Sequence, residues 1–172
     1  MAFLGQRMGL SRYEADEYYK VGLAAYTKGK FDEAIINLTD AINALPKNAE
    51  YYAARGFVYL EDGITDKAEE DFEQALKLYP YELLAHYGRG IIAFQTKNWD
   101  EAQAHFTDAY RADPKRPETL YYLALVHHRK RENQIALRVM RNAHTLFESA
   151  GDKRRTDASK WVKTLESLVS SG

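Results

Sequence analysis

The sequence predicts an all-α fold, an α-solenoid of four stacked helix-turn-helix repeats, and three observations support this prediction. Small residues recur every 34 positions, at Gly22, Gly56, Gly90 and Ala124. Alanine recurs with the same period, at Ala34, Ala68, Ala102 and Ala136, and again at Ala41, Ala75, Ala109 and Ala143. Proline closes three of the repeats, at Pro46, Pro80 and Pro114. A period of this length without insertions is typical of a repeat array rather than of one globular core.

Each repeat contains two amphipathic patterns, which predict two helices. In the first repeat one stripe has the spacing i, i+3, i+4, i+7 and consists of Tyr18, Val21, Gly22 and Ala25. A second stripe runs from Phe31 to Leu45, and Pro46 follows where the helix should end. We expect the small residues to allow close approach of the two helices, so that Gly22 meets Ala34 and Gly56 meets Ala68.

In the turn between the paired helices of each repeat, we expect one residue to adopt the left-handed backbone conformation. Gly29 and Gly63 supply it in the first two repeats. In the third and fourth repeats Lys97 and Arg131 stand at that position, and we expect Asn98 to take the left-handed conformation in the third.

The predicted organisation has three parts. Residues 1–14 form an N-terminal arm, and Ser11 to Glu14 fit a capping box that would open the first helix. The apolar residues of the arm either cap the first helix pair, lie in a groove or belong to a disordered end; they are Phe3, Leu4, Met8 and Leu10. The repeats occupy residues 15–48, 49–82, 83–116 and 117–150. Residues 151–172 form a C-terminal capping helix with Trp161 as its anchor.

Composition limits the function. The chain has no cysteine, which excludes disulfides, thiolate catalysis and cysteine zinc sites. No stretch approaches the length of a membrane span, and the N-terminus lacks a signal-peptide core, so we expect a cytoplasmic protein without membrane contact. The formal net charge is −1, but residues 1–82 carry nine Lys/Arg against fifteen Asp/Glu and residues 83–172 carry fifteen against ten. The two parts therefore have opposite net charge.

The recurring residues resemble the motif of the tetratricopeptide repeat (TPR) family over residues 15–148. Arg55 and Arg89 depart from it, because leucine is usual there, and we expect their stems to pack while their charged heads reach solvent. The resemblance implies a right-handed superhelix with a concave groove lined by the first helix of each repeat. It also implies a function in binding peptides or proteins, not in catalysis.

A second apolar stripe on the first helices is the predicted peptide-binding groove. The alternative interpretation is that any one of these residues belongs to the ordinary core. The candidate groove residues are Tyr19, Leu23, Tyr26, Phe57, Leu60, Tyr87, Ile91, Phe94, Tyr121, Leu125, His128 and Arg129.

The groove chemistry predicts a partner segment with hydrophobic anchors, bonded through tyrosine hydroxyl groups. TPR domains that hold chaperone tails use a clamp of lysine and asparagine, whereas the matching positions here are Tyr19, Leu23 and Phe57. The clamp is absent, which disfavours a chaperone-tail adaptor. The C-terminal end of the groove is basic and suits an acidic flank of the partner; otherwise its charges form a solvated face. The residues concerned are His128, Arg129, Lys130, Arg131, Lys153, Arg154 and Arg155.

We therefore predict a non-catalytic adaptor or scaffold that binds a peptide or protein segment in an aromatic, apolar groove. No catalytic, cofactor or metal site is predicted, because the five histidines have no convincing metal-ligand spacing and no phosphate loop is present. The alternative is a structural protein that self-assembles head-to-tail through its acidic N-terminal and basic C-terminal halves. Nucleic-acid binding is disfavoured, because no aromatic residues interleave with the basic ones.

Overall fold

The structure is a computed structural model that describes the backbone of residues 2–171 and the side chains of residues 12–171. This described part forms nine helices and no strand, which confirms the all-α fold class. The helices are α1 (Ala2–Thr27), α2 (Phe31–Ala44), α3 (Ala49–Glu61), α4 (Thr65–Leu78), α5 (Leu83–Gln95), α6 (Trp99–Ala112), α7 (Pro117–Arg129), α8 (Asn133–Ser149) and α9 (Arg155–Ser170).

The chain divides into two compact bodies, Met1–Gly88 and Arg89–Gly172, called here the N-terminal and the C-terminal body. Within the N-terminal body α1 packs on α2, α2 on α3 and α3 on α4. Within the C-terminal body α6 packs on α7, α7 on α8 and α8 on α9. In each body, helices that follow one another in the chain are therefore neighbours in space, as expected for an array of repeats.

The first helix begins earlier than predicted. Helix α1 starts at Ala2 and runs without a break to Thr27, so a capping box at Ser11 does not open it, and the residues of the predicted arm are helical from Ala2 on. The reason is that Leu, Gln, Arg and Met dominate residues 2–10 and favour helix, and two glycines do not outweigh them. The side chains expected to pack from the arm lie outside the described part: Phe3, Leu4, Met8 and Leu10.

Small residues allow close helix packing, as predicted, and large apolar side chains of the partner helix lie nearest to them. A Cβ atom on Gly22 would lie 2.8 Å from Leu38 Cγ and 3.3 Å from the Ala34 carbonyl oxygen. On Gly56 it would lie 2.9 Å from the ring of Phe72, which is the nearest side chain to this glycine; that Gly56 meets Ala68 stays a prediction. The ring of Phe72 is fully buried and fills the space that both Gly56 and Gly88 leave open.

Two turn residues other than glycine are in the left-handed region, and for one of them the sequence predicts otherwise. Gly29 and Gly63 have φ of 71° and 80°, as expected. Lys97 has φ of 61° and Arg131 has φ of 64°, whereas Asn98 has φ of −83°, so the prediction for Asn98 is wrong. The backbone keeps the same turn in all four repeats, and the residue at that position adopts the left-handed conformation even when it is not glycine.

The predicted packing stripe of α1 is only partly buried. Gly22 and Ala25 are buried, but Tyr18 is 41% exposed and Val21 is 45% exposed. At the same repeat positions in α7, Leu120 and Leu123 are buried. In the C-terminal body α6 packs on α7, whereas no described helix precedes α1, which accounts for the difference in exposure.

Arg55 lies inside the N-terminal body, contrary to the prediction that its head reaches solvent. Its Nε and Nη2 atoms each donate a 2.8 Å hydrogen bond to Asp71, and Nη1 donates one of 3.0 Å to Thr39 Oγ1. The Arg55 side chain is only 18% exposed and that of Asp71 only 7%. The ion pair replaces the leucine packing that is usual at this position.

Helix α9 covers the apolar end of the C-terminal body, as predicted for a capping helix. Ala158 and Leu165 are fully buried in the same cluster as Leu137 and Met140 of α8. Trp161 is only half-buried, and its ring contacts His128 with centroids 5.5 Å apart. The fully buried anchors of the cap are thus Ala158 and Leu165, with Trp161 at the edge.

Candidate functional site

The predicted groove residues fall into two sets, one in each body. We call the set in the N-terminal body the N-terminal face: Tyr19, Leu23, Tyr26, Phe57, Leu60 and Tyr87. We call the set in the C-terminal body the C-terminal face: Ile91, Phe94, Tyr121, Leu125, His128 and Arg129. Ten of these twelve side chains are half-buried or exposed, whereas Tyr87 and Leu125 are buried. For those two residues the burial supports the alternative interpretation as ordinary core.

The aromatic rings of the N-terminal face are fixed by neighbouring rings. Tyr19 lies against Tyr51 with centroids 4.9 Å apart. Phe57 stacks on Tyr87 at 5.8 Å with an interplanar angle of 9°. Such pairs add to the stability of the packed rings beyond their buried area. Leu23, Tyr26 and Leu60 complete the face and are half-buried, so each packs inward and keeps part of its apolar surface accessible.

The hydroxyl groups of Tyr19 and Tyr121 are bonded within the chain. Tyr19 donates a 2.8 Å hydrogen bond to Glu50 Oε1 at the start of α3. Tyr121 donates a short one to Asp157 in α9. Burial raises the pKa of both phenols above the ordinary value, and the hydrogen bond to a carboxylate raises it further. Because both protons are already donated, only the oxygen lone pairs can bond a partner.

The C-terminal face combines apolar and basic groups. Phe94 lies edge-on to Trp99 and Tyr122, with centroids 5.3 Å and 5.6 Å away. His128 is half-buried between Trp161 and Asn133, and its Nδ1 atom lies 2.8 Å from Asn133 Oδ1. Arg129 follows it at the end of α7, is exposed and makes no ion pair with a described residue. The face therefore ends in an accessible positive charge.

Only some of the predicted basic residues have free charges. Lys130 donates to Asp100 at 2.7 Å and to Gln103 at 2.6 Å. Arg154 is held by Glu118 at 2.7 Å and by Asp152. Four of the remaining cations have no ion-pair partner in the described part of the chain: Arg129, Arg131, Lys153 and Arg155. Arg129 and Arg131 lie just before α8, whereas Lys153 and Arg155 lie after it, so the C-terminal body carries unneutralised basic charge at both ends of that helix.

Two surface depressions were not predicted. One, of about 420 Å³, lies in the N-terminal body and is lined by polar and apolar groups that include Glu50, Tyr79 and Glu82. Burial raises the pKa of the Glu82 carboxyl. The other, also of about 420 Å³, lies between α8 and α9 and includes Arg131, Ile135 and Leu168. Hydrophobic periodicity gives no signal for either, because each depends on how the ends of separate helices meet.

No metal-binding arrangement is present among the described residues, since no three His, Asp or Glu side chains converge. None of the described helices has an apolar stretch long enough to cross a bilayer. The predictions that the chain is not an enzyme and is cytoplasmic remain predictions.

Curated relatives and solved structures agree with this architecture. Hsp70-Hsp90 organizing protein 1 of Glycine max is 28% identical over 106 residues, which are 62% of this chain and 18% of that protein. TPR repeat-containing thioredoxin TDX of Arabidopsis thaliana is 30% identical over 103 residues, 60% of this chain and 27% of that protein. The chain thus spans less than a third of the length of these relatives.

Two solved structures share the fold. The first TPR domain of Spaghetti (RPAP3), bound to the HSP90 peptide SRMEEVD, has a TM-score of 0.64 and 24% identity, and the match covers 68% of this chain and 95% of that one. MamA of Desulfovibrio magneticus RS-1 also has a TM-score of 0.64, with 18% identity, and the match covers 92% and 96%. The tetratricopeptide repeat family model matches residues 19–82, 58–117 and 87–143. The chain therefore belongs to the tetratricopeptide repeat family.

Proposed function

We propose that the protein is a non-catalytic adaptor that binds a segment of another protein on the first-helix faces of its repeats. The observation that carries this proposal is the row of half-buried apolar side chains on those helices, at the same repeat positions each time. Leu23, Tyr26 and Leu60 in one body, and Ile91 and Phe94 in the other, each pack on one side and stay accessible on the other. Repeated accessible apolar surface of this kind marks an interaction site.

The partner that suits these faces is a peptide with apolar or aromatic anchors and an acidic flank. Leucine, isoleucine and phenylalanine side chains offer apolar contact, while the tyrosine oxygens can accept hydrogen bonds from backbone N–H groups. The free guanidinium of Arg129 at the end of the C-terminal face would pair with a carboxylate of the partner and so fix its direction.

Family relatives support the general role and leave the ligand open. One structural neighbour is described as bound to an HSP90 peptide, SRMEEVD. In this chain the positions that would form the carboxylate clamp are Tyr19, Leu23 and Phe57. None of them carries a positive charge or a side-chain amide. We therefore propose a ligand whose apolar side chains, rather than its terminal carboxylate, provide most of the affinity.

A peptide array tests the proposal. The wild-type chain is screened on peptides of about twelve residues that combine two aromatic or aliphatic anchors with a neutral, basic or acidic flank, and SRMEEVD is included. Leu60→Ser and Ile91→Ser, one in each face, should weaken binding of the best peptides about tenfold, which corresponds to about 1.4 kcal/mol. Ile36→Ser is the matched control, because Ile36 is 61% exposed on α2, outside both faces.

Three results would contradict the proposal. The first is equal binding by wild type and by a folded Leu60→Ser/Ile91→Ser double variant. The second is an equal loss in Ile36→Ser. The third is a preference for SRMEEVD over every internal peptide, since that would mean that a terminal carboxylate is the main determinant after all.

A further inference from the structure

The two bodies differ in which charges are left without partners. The N-terminal body has a net charge of −6 and the C-terminal body one of +5. In the C-terminal body most carboxylates are held by cations or hydroxyl groups, as at Glu118, Asp152 and Asp157. Cations without an ion pair outnumber such carboxylates there, although Glu148 is also exposed and makes no ion pair with a described residue. In the N-terminal body carboxylates without an ion pair outnumber such cations, and three of them lie around the turn between α3 and α4.

The α3–α4 turn carries an exposed apolar side chain among carboxylates. Ile64 is 36% exposed, and Glu61, Asp62 and Asp66 around it are exposed and make no ion pair with described residues. The turn is well fixed, because Gly63 has φ of 80° and the N–H of Ile64 donates a 2.8 Å hydrogen bond to the carbonyl of Tyr59. We call residues 61–66 the acidic knob.

The depression between α8 and α9 has complementary chemistry. Its apolar surface comes mainly from Ile135 and Leu168, each 38% exposed, together with Val169. Arg131 borders it, without an ion-pair partner in the described structure. The neighbouring carboxylate of Glu132 also lines the depression, but its Oε2 atom lies 2.5 Å from His127 Nδ1 and makes no ion pair with Arg131. We call this depression of about 420 Å³ the basic hollow.

We propose that the acidic knob of one copy docks in the basic hollow of a second copy. Ile64 would rest on Ile135 and Leu168, while the carboxylates beside it face Arg131. The two surfaces differ, so the contact is heterologous, and any assembly that does not close into a ring keeps one knob and one hollow open at its ends. The result is concentration-dependent head-to-tail association, which does not depend on the peptide-binding function proposed above.

The size and charge of the contact fix its expected strength. Knob and hollow are each a few residues wide, well below the area of a stable interface, so the association is weak. Because several of the contributing charges lie at the surface, added salt screens them. We therefore expect association at protein concentrations from about 100 μM upward in about 20 mM salt, and its loss in about 500 mM salt.

Sedimentation equilibrium with two complementary variants tests the proposal. Ile64→Ser removes the knob and leaves a good helix N-cap, and Leu168→Ser alters the hollow on an exposed position. Each variant alone should show an association constant at least about tenfold lower than wild type. Mixed in equal amounts they should form a dimer that does not grow further, because the mixture retains one intact knob and one intact hollow. Ile36→Ser should associate like wild type.

The outcomes are decisive in either direction. A wild-type chain that stays monomeric in about 20 mM salt at the highest concentration reached, about 1 mM, overturns the proposal. So does association that survives in Ile64→Ser or Leu168→Ser, or a mixture of the two variants that does not form dimers. Circular dichroism of each variant confirms that the helices are intact, and peptide binding by the same variants should be unchanged.

Discussion

Removal of the Arg55 guanidinium should destabilise the N-terminal body far more than removal of a solvent-exposed charge would. In the variant Arg55→Leu the carboxylate of Asp71, whose side chain is only 7% exposed, loses both of its 2.8 Å charge-assisted hydrogen bonds. A carboxylate left buried without a counter-charge typically costs about 3 to 5 kcal/mol. Because leucine restores the packing that is usual at this position, we expect the free energy of unfolding to fall by about 3 kcal/mol, at the lower end of that range.

The double variant Arg55→Leu/Asp71→Ala separates the ion pair from packing. Once both charges are gone the penalty of the buried carboxylate disappears, so stability should return to within about 1 kcal/mol of wild type. Arg89→Leu is the matched control: Arg89 stands at the same repeat position, is 36% exposed, and lies 3.6 Å from Glu101. We expect a change of no more than about 0.5 kcal/mol there.

Urea unfolding followed by far-ultraviolet circular dichroism gives the free energies for this double-mutant cycle. The predicted coupling between the two substitutions is about 2 to 4 kcal/mol. Equal midpoints for wild type and Arg55→Leu would refute the reasoning, since they would mean that the guanidinium is solvated and the carboxylate needs no partner.

Substitutions at four further positions test other features of the structure by the same unfolding assay. Lys97→Gly should stabilise by about 0.5 to 1 kcal/mol, since Lys97 has φ of 61° and glycine adopts this conformation without strain, whereas Lys97→Ala should give no gain. Thr119→Val should raise the free energy of unfolding by about 1 kcal/mol, because the fully buried Thr119 hydroxyl has no hydrogen-bond partner in the described structure. A decrease of the same size would mean that the hydroxyl does have a partner. Gly88→Ala should cost about 2 to 3 kcal/mol, since its Cβ would lie 2.2 Å from Phe72 Cζ; an unchanged midpoint would contradict that packing. Burial and a hydrogen bond to Asp16 raise the pKa of Tyr51 from 10.0 to about 12, which favours the neutral phenol in the folded chain. The resulting stabilisation is complete below about pH 10 and is lost as the pH rises to about 12. The free energy of unfolding of Tyr51→Phe should therefore fall less steeply with rising alkaline pH than that of wild type.

Residues that repeat every 34 positions were the ones that the sequence could predict well. Gly22, Ala34 and Leu38 lie where a helix pair approaches closely, and their contacts depend only on residues within one repeat. Helix α9 was predictable for a related reason: a terminal helix with one apolar side covers the open end of an array. The close approach of the paired helices and the covering role of α9 can both be inferred from local periodicity, without knowing which side chains contact each other.

The errors arose where a side chain depends on one specific neighbour. Arg55 looks like a surface residue in sequence, because nothing near it along the chain reveals that Asp71 lies across the helix pair. Lys97 adopts a left-handed conformation because the surrounding repeat imposes the turn, against its own preference. Local propensity alone could not predict either result.

The sequence predicts which residues lie on the candidate faces, but not how much of each side chain is accessible to a partner. The spacing places Tyr87 and Phe94 at equivalent points one heptad apart on α5, yet Tyr87 is buried on Phe57 and Phe94 is half-buried. Tyr19 and Tyr121 are also equivalent in the repeat, and both donate to a carboxylate of a later helix. How much of each side chain a partner can reach depends on these contacts, which cross from one repeat to the next.

The most direct test of the central claim is a methyl-group NMR map of peptide binding. Isoleucine and leucine methyls are labelled, and the best peptide from the array is titrated into the wild-type chain. If the first-helix faces bind the partner, the methyl signals of Leu23, Leu60 and Ile91 shift with the peptide concentration, while that of Ile36 on α2 stays in place. Shifts confined to Ile36 and other second-helix methyls, with those three signals unchanged, would contradict the claim.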